Sequence, residues 1–199
     1  MLLGEKMKVT VSFFAIMLIF SLAISGAYYA LIPLSAAALH ELGHILAAKA
    51  RGVKLKSFDI GIFGARLTMS DEIYSYTDEI MICAAGPLVN LVLAGAGIYL
   101  CRIYCFYNEL FDLFIASSLC LGIVNLLPIK SFDGGRILIS ALSVSLDADT
   151  ADKILSFLSF LSLFVLWCIS LYLLLRTSAS LSLFVFSVSL FASIFVEKP

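Results

Sequence analysis

The sequence has 199 residues, of which 62% are hydrophobic and only 14% are charged. A soluble domain of this length needs more charged side chains to cover its surface, so lipid is the expected solvent. The formal net charge is −1, and no Lys/Arg cluster alternates with aromatic residues, which excludes nucleic acid as a partner.

The first apolar stretch, Val9–Ala48, contains no charged side chain except Glu41. No good small-residue cleavage site follows its basic start, which favours a retained membrane span over a secretory signal. Its length suits two spans joined by a tight turn near Gly26–Pro33. We expect span one to end near Ala27 and span two to carry His40.

The next segment, Val53–Met69, alternates apolar and polar residues around Gly61 and Gly64. This pattern predicts a short hairpin at the membrane face, whose exposed edge would accept an extended segment of another chain. A passive amphipathic loop would show the same alternation. Proline at Ile60 or Ile62 should separate the two interpretations.

Four more apolar runs predict spans three to six. They are Ile80–Leu100, Leu113–Leu127, Ile154–Leu175 and Thr177–Val196. The second run is shorter than the others, and we expect its span to begin nearer Cys105. Ile137–Leu146 is typical of a short amphipathic helix. The sequence therefore predicts an all-α polytopic membrane protein with about six transmembrane helices and a small membrane-associated β-hairpin between helices 2 and 3. We expect residues 1–199 to form a single membrane-embedded domain.

Basic residues are distributed unequally between the two sides of this topology. With a cytoplasmic N-terminus, only Arg102 and Arg176 lie outside, and the other 11 of the 13 Lys and Arg residues lie inside. The inner ones are Lys6, Lys8, Lys49, Arg51, Lys54, Lys56, Arg66, Lys130, Arg136, Lys153 and Lys198. The positive-inside rule then places the N-terminus and the inner end of span two in the cytoplasm.

The sequence His40-Glu41-Leu42-Gly43-His44 is an HExxH motif, and it contains both histidines of the chain. On a helix, residues i and i+4 share a face about 6 Å apart, so both imidazoles can bind one zinc ion while Glu41 reaches its water. The alternative is a chance pattern, or histidines that cap a helix end. Ionisable groups are costly in an apolar span, which favours the metal site.

A zinc site with three protein ligands leaves the fourth position for water, so one further ligand is needed. Asp133 is the best candidate, because it follows span four on the same side of the membrane as the HExxH motif. Considered alone, an aspartate before Gly134 and Gly135 would more simply be a helix N-cap or turn residue.

Three motifs in order carry a resemblance to a known family: HELGH at 40–44, AGPLVN at 85–90 and NLLPIKSFDGG at 125–135. Together they resemble the site-2 protease family of intramembrane zinc metalloproteases, most closely the stage IV sporulation protein FB type. Phe132 stands where that family often has Leu, which is a conservative change.

The resemblance implies an intramembrane zinc endopeptidase with one Zn²⁺ per chain, acting in regulated intramembrane proteolysis. Its partners would be a membrane-tethered protein substrate, the lipid bilayer and inhibitory or regulatory membrane proteins, in a bacterial cell membrane. We expect no appended regulatory domain. Position by position, it implies zinc ligands His40, His44 and Asp133, catalytic Glu41, and Asn90 and Asn125 holding the substrate backbone or oxyanion.

Two alternatives remain. A CAAX-type HExxH protease would take its third ligand from a glutamate of a later helix, but Glu72, Glu79 and Glu109 lack that setting. A zinc-binding membrane scaffold or transporter would be non-proteolytic. A transporter should carry polar residues across the midplane of several spans, and an inactive protease should have lost Glu41.

Overall fold

The computed structural model describes residues 8–11, 28–53, 55–61, 64–69, 75–105 and 108–177. The chain divides into two compact units, Met1–Asn125 and Leu126–Pro199. The first contains β1 (Lys8–Val11), α1 (Leu31–Ala50), β2 (Leu55–Gly61), β3 (Gly64–Met69), α2 (Tyr76–Tyr104) and α3 (Glu109–Asn125). The second contains α4 (Asp133–Leu142) and α5 (Ala148–Thr177).

Three of the described helices are long and apolar enough to cross a membrane. They are Leu31–Ala50, Tyr76–Tyr104 and Ala148–Arg176, and they correspond to predicted spans two, three and five. Helix α3 occupies the position of span four, but its 17 residues are fewer than the roughly 20 that a straight span needs. Span six and residues 12–27 of span one lie outside the described part of the chain.

The predicted hairpin region contains two antiparallel strands, β2 and β3, in register from Leu55↔Met69 to Gly61↔Gly64. The described sheet is larger than predicted, because β1 pairs in parallel with β2 and places Val11 opposite Ile60. One expectation is corrected here: residues 9–11, the predicted start of span one, form a strand. Within the hairpin, β2 lies at the centre of the described sheet and β3 lies at its edge. The β-branched residues of β1 favour this extended conformation.

Glycines allow the helices of the first unit to approach closely. A Cβ at Gly43 of α1 would lie 2.9 Å from the carbonyl oxygen of Ala85 in α2. A Cβ at Gly122 of α3 would lie 3.0 Å from Leu91 and 3.2 Å from the carbonyl oxygen of Pro87. Small residues at such crossings bring helix backbones into contact where lipid provides no hydrophobic driving force.

Helix α2 begins with a capping box. The Ser75 hydroxyl accepts a hydrogen bond from the backbone N–H of Thr77 at 3.2 Å, and the Asp78 carboxylate accepts one from the backbone N–H of Ser75. Asp78 also pairs with Arg51 at 2.6 Å, just after α1. Asp78 therefore ties the end of α1 to the start of α2.

In the second unit, the loop at residues 126–132 leads into α4, which begins at Asp133 and not at the predicted Ile137. Gly134 and Gly135 make this earlier start possible, because a Cβ at either position would overlap loop carbonyl oxygens. Helix α5 is preceded by Asp147, whose side chain accepts a hydrogen bond from the Thr150 N–H at 3.0 Å. That bond holds the pKa of this exposed carboxyl below its usual value.

Candidate metal centre

His40 and His44 lie one turn apart on α1, and both are buried, with 4% and 6% of their surface exposed. Their Nε2 atoms are 3.2 Å apart. Two nitrogen ligands at about 2.0–2.1 Å from a tetrahedral zinc ion would be about 3.3 Å apart. The separation therefore fits the chelation of one zinc ion through both Nε2 atoms.

Each imidazole also has a polar atom at its second nitrogen. His44 Nδ1 lies 2.7 Å from the carbonyl oxygen of Ile82. A carbonyl oxygen only accepts, so Nδ1 of His44 donates and Nε2 keeps its lone pair, as a metal-binding histidine requires. His40 Nδ1 lies 3.3 Å from Nδ2 of Asn90. Both partners belong to α2, which packs against the histidine face of α1.

Gly86 provides the space for the two rings. A Cβ at this position would overlap Nε2 of His44 and would come within 2.9 Å of Nε2 of His40. The glycine of the AGPLVN motif is therefore required sterically by the histidine pair. Sequence reasoning did not assign it this role, although its motif was identified, because a glycine carries no side-chain chemistry.

The first unit brings together three of the predicted site residues, His40, His44 and Asn90. Glu41 is next to them on α1 and is half-buried. Asn125, the last residue of α3, donates from Nδ2 to the Leu121 carbonyl oxygen of its own helix at 3.1 Å. This bond lies within α3, and the predicted substrate contact of Asn125 stays a prediction.

Asp133 lies in the second unit, at the first residue of α4, and is half-buried. The N-cap of α4 is Phe132, so the alternative in which Asp133 caps the helix is wrong. A carboxylate in the first turn still interacts favourably with the helix dipole. Its residue type makes Asp133 a possible metal ligand, and its assignment to the same ion as His40 and His44 stays a prediction.

Comparison with known proteins places this site in a family. Residues 28–107 and 103–167 match Peptidase family M50. The chain belongs to this family, and the predicted resemblance to site-2 proteases is confirmed. With its three apolar helices, it is an integral membrane protein.

Among its relatives is stage IV sporulation protein FB of Bacillus subtilis, which is 30% identical over 155 residues, 77% of this chain and 54% of the relative. A zinc metalloprotease of Methanocaldococcus jannaschii is 38% identical over 112 residues, 53% of this chain and 31% of the relative. The chain thus spans between about a third and a half of these relatives.

A solved structure shares the fold. The site-2 protease from Methanocaldococcus jannaschii has a TM-score of 0.60 with this chain and 24% sequence identity. The match covers 94% of this chain and 90% of that chain.

Proposed function

We propose that the protein is an intramembrane zinc endopeptidase that hydrolyses a peptide bond in or near a transmembrane segment of a membrane-tethered substrate. The observation that carries the proposal is the buried pair of Nε2 atoms 3.2 Å apart, with Glu41 of the same HExxH motif beside it on an apolar helix. Buried ionisable groups in such a helix are expensive and are functional by default.

The proposed ligands of one zinc ion are His40, His44 and Asp133. Two histidines and a carboxylate match the three-ligand sets of catalytic zinc, which leave a fourth position for water or substrate. Two observations support the histidines: their spacing, and the Ile82 carbonyl that holds His44 in the ligating tautomer. Asp133 is supported by its residue type, by the glycine pair after it and by its place in the third motif.

Bound zinc would supply a water molecule of lowered pKa and a Lewis acid for the scissile carbonyl. Glu41 is the proposed general base, which takes the proton of the attacking water. The same carboxyl then delivers this proton to the leaving amine as general acid. Asn90 and Asn125 remain the residues that the resemblance assigns to the substrate backbone or oxyanion.

A transmembrane substrate must lose part of its helix before it can be cut, because its backbone hydrogen bonds are satisfied internally. We propose that the unwound segment adds to β3, Gly64–Met69, whose described pairing is with β2 alone. The Ile60→Pro substitution cannot test this edge, since β2 pairs on both sides. It would disrupt the sheet itself.

The proposed setting, by the family resemblance, is a bacterial cell membrane. The 11-to-2 distribution of basic residues favours an orientation with the N-terminus and the active site toward the cytoplasm. The proposed partners are a membrane-tethered substrate and regulatory membrane proteins. A membrane-tethered regulatory pro-protein is the substrate class favoured by analogy with sporulation proteases.

The test is co-expression of the protein with a panel of single-span membrane substrates, read by fragment size together with the zinc content of the purified protein. Wild type should cut and should carry one zinc per chain. Glu41→Gln should keep zinc and lose turnover, and Asp133→Ala should lose zinc. A wild-type protein without zinc would favour a non-proteolytic scaffold, and a Glu41→Gln variant that cuts at the native rate would refute the role of Glu41.

A further inference from the structure

Asn90 on α2 is a fully buried polar side chain beside the histidine pair. Its exposed fraction is 0%, and its Oδ1 has no hydrogen-bond partner among the described residues. Its other amide atom, Nδ2, lies 3.3 Å from Nδ1 of His40. A buried amide oxygen without a partner costs free energy, so this residue requires an explanation.

The explanation lies in the proton of His40. An imidazole that binds a metal ion through Nε2 carries its proton on Nδ1 and must donate it. An amide nitrogen cannot accept that proton, but an amide oxygen can. Rotation of the Asn90 amide by a half-turn exchanges Nδ2 and Oδ1 at nearly equal positions. Either orientation leaves one amide atom without a described partner, so the proton on Nδ1 of His40 decides between them. The atom facing Nδ1 of His40 would then be the acceptor that a ligating His40 needs.

We propose that Asn90 is a positioning residue of the metal centre, whose Oδ1 accepts the Nδ1–H of His40 and so fixes the tautomer and orientation of that ring. The Ile82 carbonyl oxygen performs the same task for His44, at 2.7 Å. The proposal rests on the proposed function for the identity of the ion. It gives Asn90 a role exerted through His40, which differs from the direct substrate contact implied by the resemblance.

The test measures the zinc affinity of the purified full-length protein by competition with a chelator, and the visible absorption spectrum of the Co²⁺-loaded protein. Asn90→Leu keeps the side-chain size and removes the acceptor, whereas Asn90→Asp keeps an acceptor oxygen. Loss of an outer-shell partner of this kind lowers metal affinity by about 10- to 100-fold. We expect that loss, with a changed Co²⁺ spectrum, for Asn90→Leu. Asn90→Asp should bind zinc at least as tightly as wild type, because a carboxylate is a common partner of a metal-bound histidine.

The matched control is Ser118→Ala on α3. Ser118 is also 0% exposed, and its hydroxyl has no hydrogen-bond partner among the described residues. Removing this hydroxyl should leave zinc affinity unchanged, which separates a specific effect on His40 from the general loss of a buried polar group. If Asn90→Leu misfolds, the comparison of Asn90→Asp with wild type still decides, because a tenfold weaker Asn90→Asp would contradict the proposal.

The proposal about Asn90 and the proposed protease function fail in different ways. If Asn90→Leu binds zinc as tightly as wild type does, and wild type cleaves its substrate, the role of Asn90 is overturned and the protease function stands. If Asn90→Leu weakens zinc binding but wild type cleaves no substrate, the result supports the role of Asn90 and counts against the protease function. A wild-type protein that binds neither zinc nor Co²⁺ would overturn both.

Discussion

At the scale of single residues, two imidazoles lie in the interior of an apolar chain, and their packing determines what they can do. Each Nε2 points toward the other ring, and each Nδ1 faces a polar atom of α2. Burying a polar group without a hydrogen-bond or metal partner costs about 1–3 kcal/mol. Two buried imidazoles are therefore stable only where their ring nitrogens have such partners. A shared metal ion is the partner that fits both Nε2 atoms.

The first prediction concerns Gly86. Gly86→Ala would place a methyl group where Nε2 of His44 lies, so we expect zinc affinity to fall at least tenfold. The measurement is zinc stoichiometry and chelator competition on the purified variant. Gly95→Ala is the control, because it lies on the same helix and a Cβ there would meet nothing within 4 Å. Equal zinc affinity in both variants would show that the rings do not need this space.

At the scale of elements, one residue of α5 holds the loop that leads to Asp133. The Ser159 hydroxyl accepts a hydrogen bond from the backbone N–H of Lys130 at 3.0 Å and donates one to the carbonyl oxygen of Pro128 at 3.1 Å. Ser159 is 1% exposed, as is Ile129 between the two bonded loop residues. Lys130 also pairs with Asp152 of α5. The loop is thereby fixed to α5 within the second unit.

The second prediction follows from this attachment. Ser159→Ala removes both hydrogen bonds and leaves two loop groups of the backbone without a partner, at a cost of about 1–3 kcal/mol. We expect a lower unfolding temperature in detergent and faster amide exchange at Lys130. Ser156→Ala is the matched control on the same helix, since Ser156 is exposed and bonds only within α5. If the two variants exchange equally slowly at Lys130, the loop does not depend on Ser159.

At the scale of the whole molecule, large apolar side chains are exposed along all three helices long enough to span a membrane. Examples are Leu46 at 56% exposed, Val92 at 66%, Phe157 at 66% and Leu175 at 79%. A soluble monomer does not present so much apolar surface. Most buried positions of these helices hold small or polar residues, such as Ala48 and Ser170, although Ile82, Leu155 and Leu163 are also buried. Both features are expected where lipid covers the outside and close backbone contact joins the helices.

The third prediction concerns orientation. The basic residues are concentrated on one side of the predicted topology, which the positive-inside rule makes the cytoplasmic side. The C-terminal end of α1 then lies in the cytoplasm, and the C-terminal end of α2 lies on the opposite side. We expect a membrane-impermeant maleimide to label Cys105 in intact cells, and to label Ala50→Cys only after the membrane is opened. Each cysteine is tested alone, in a chain whose other cysteines are replaced and whose zinc content matches wild type. The reverse labelling pattern would invert the topology.

Part of this protein is determined by local sequence. Composition decides that lipid is the solvent, because 14% charged residues cannot cover a water-exposed surface. The spacing of His40 and His44 places both rings on one helix face, because residues four positions apart are neighbours on the surface of an α-helix. Apolar runs of sufficient length predict helices α1, α2 and α5 for the same local reason. The HExxH pair and the family could therefore be read from the chain directly.

The tertiary structure decided what depends on contacts between distant residues. The parallel pairing of β1 with β2, the partner of each Nδ1 atom, the ring space at Gly86 and the attachment of the loop to Ser159 all join positions far apart in sequence. Periodicity and residue type carry no information about such partners, because any polar atom or glycine at the right place would serve. They are selected only by the pairing of β1 with β2, the packing of α2 against α1 and the attachment of the loop to α5.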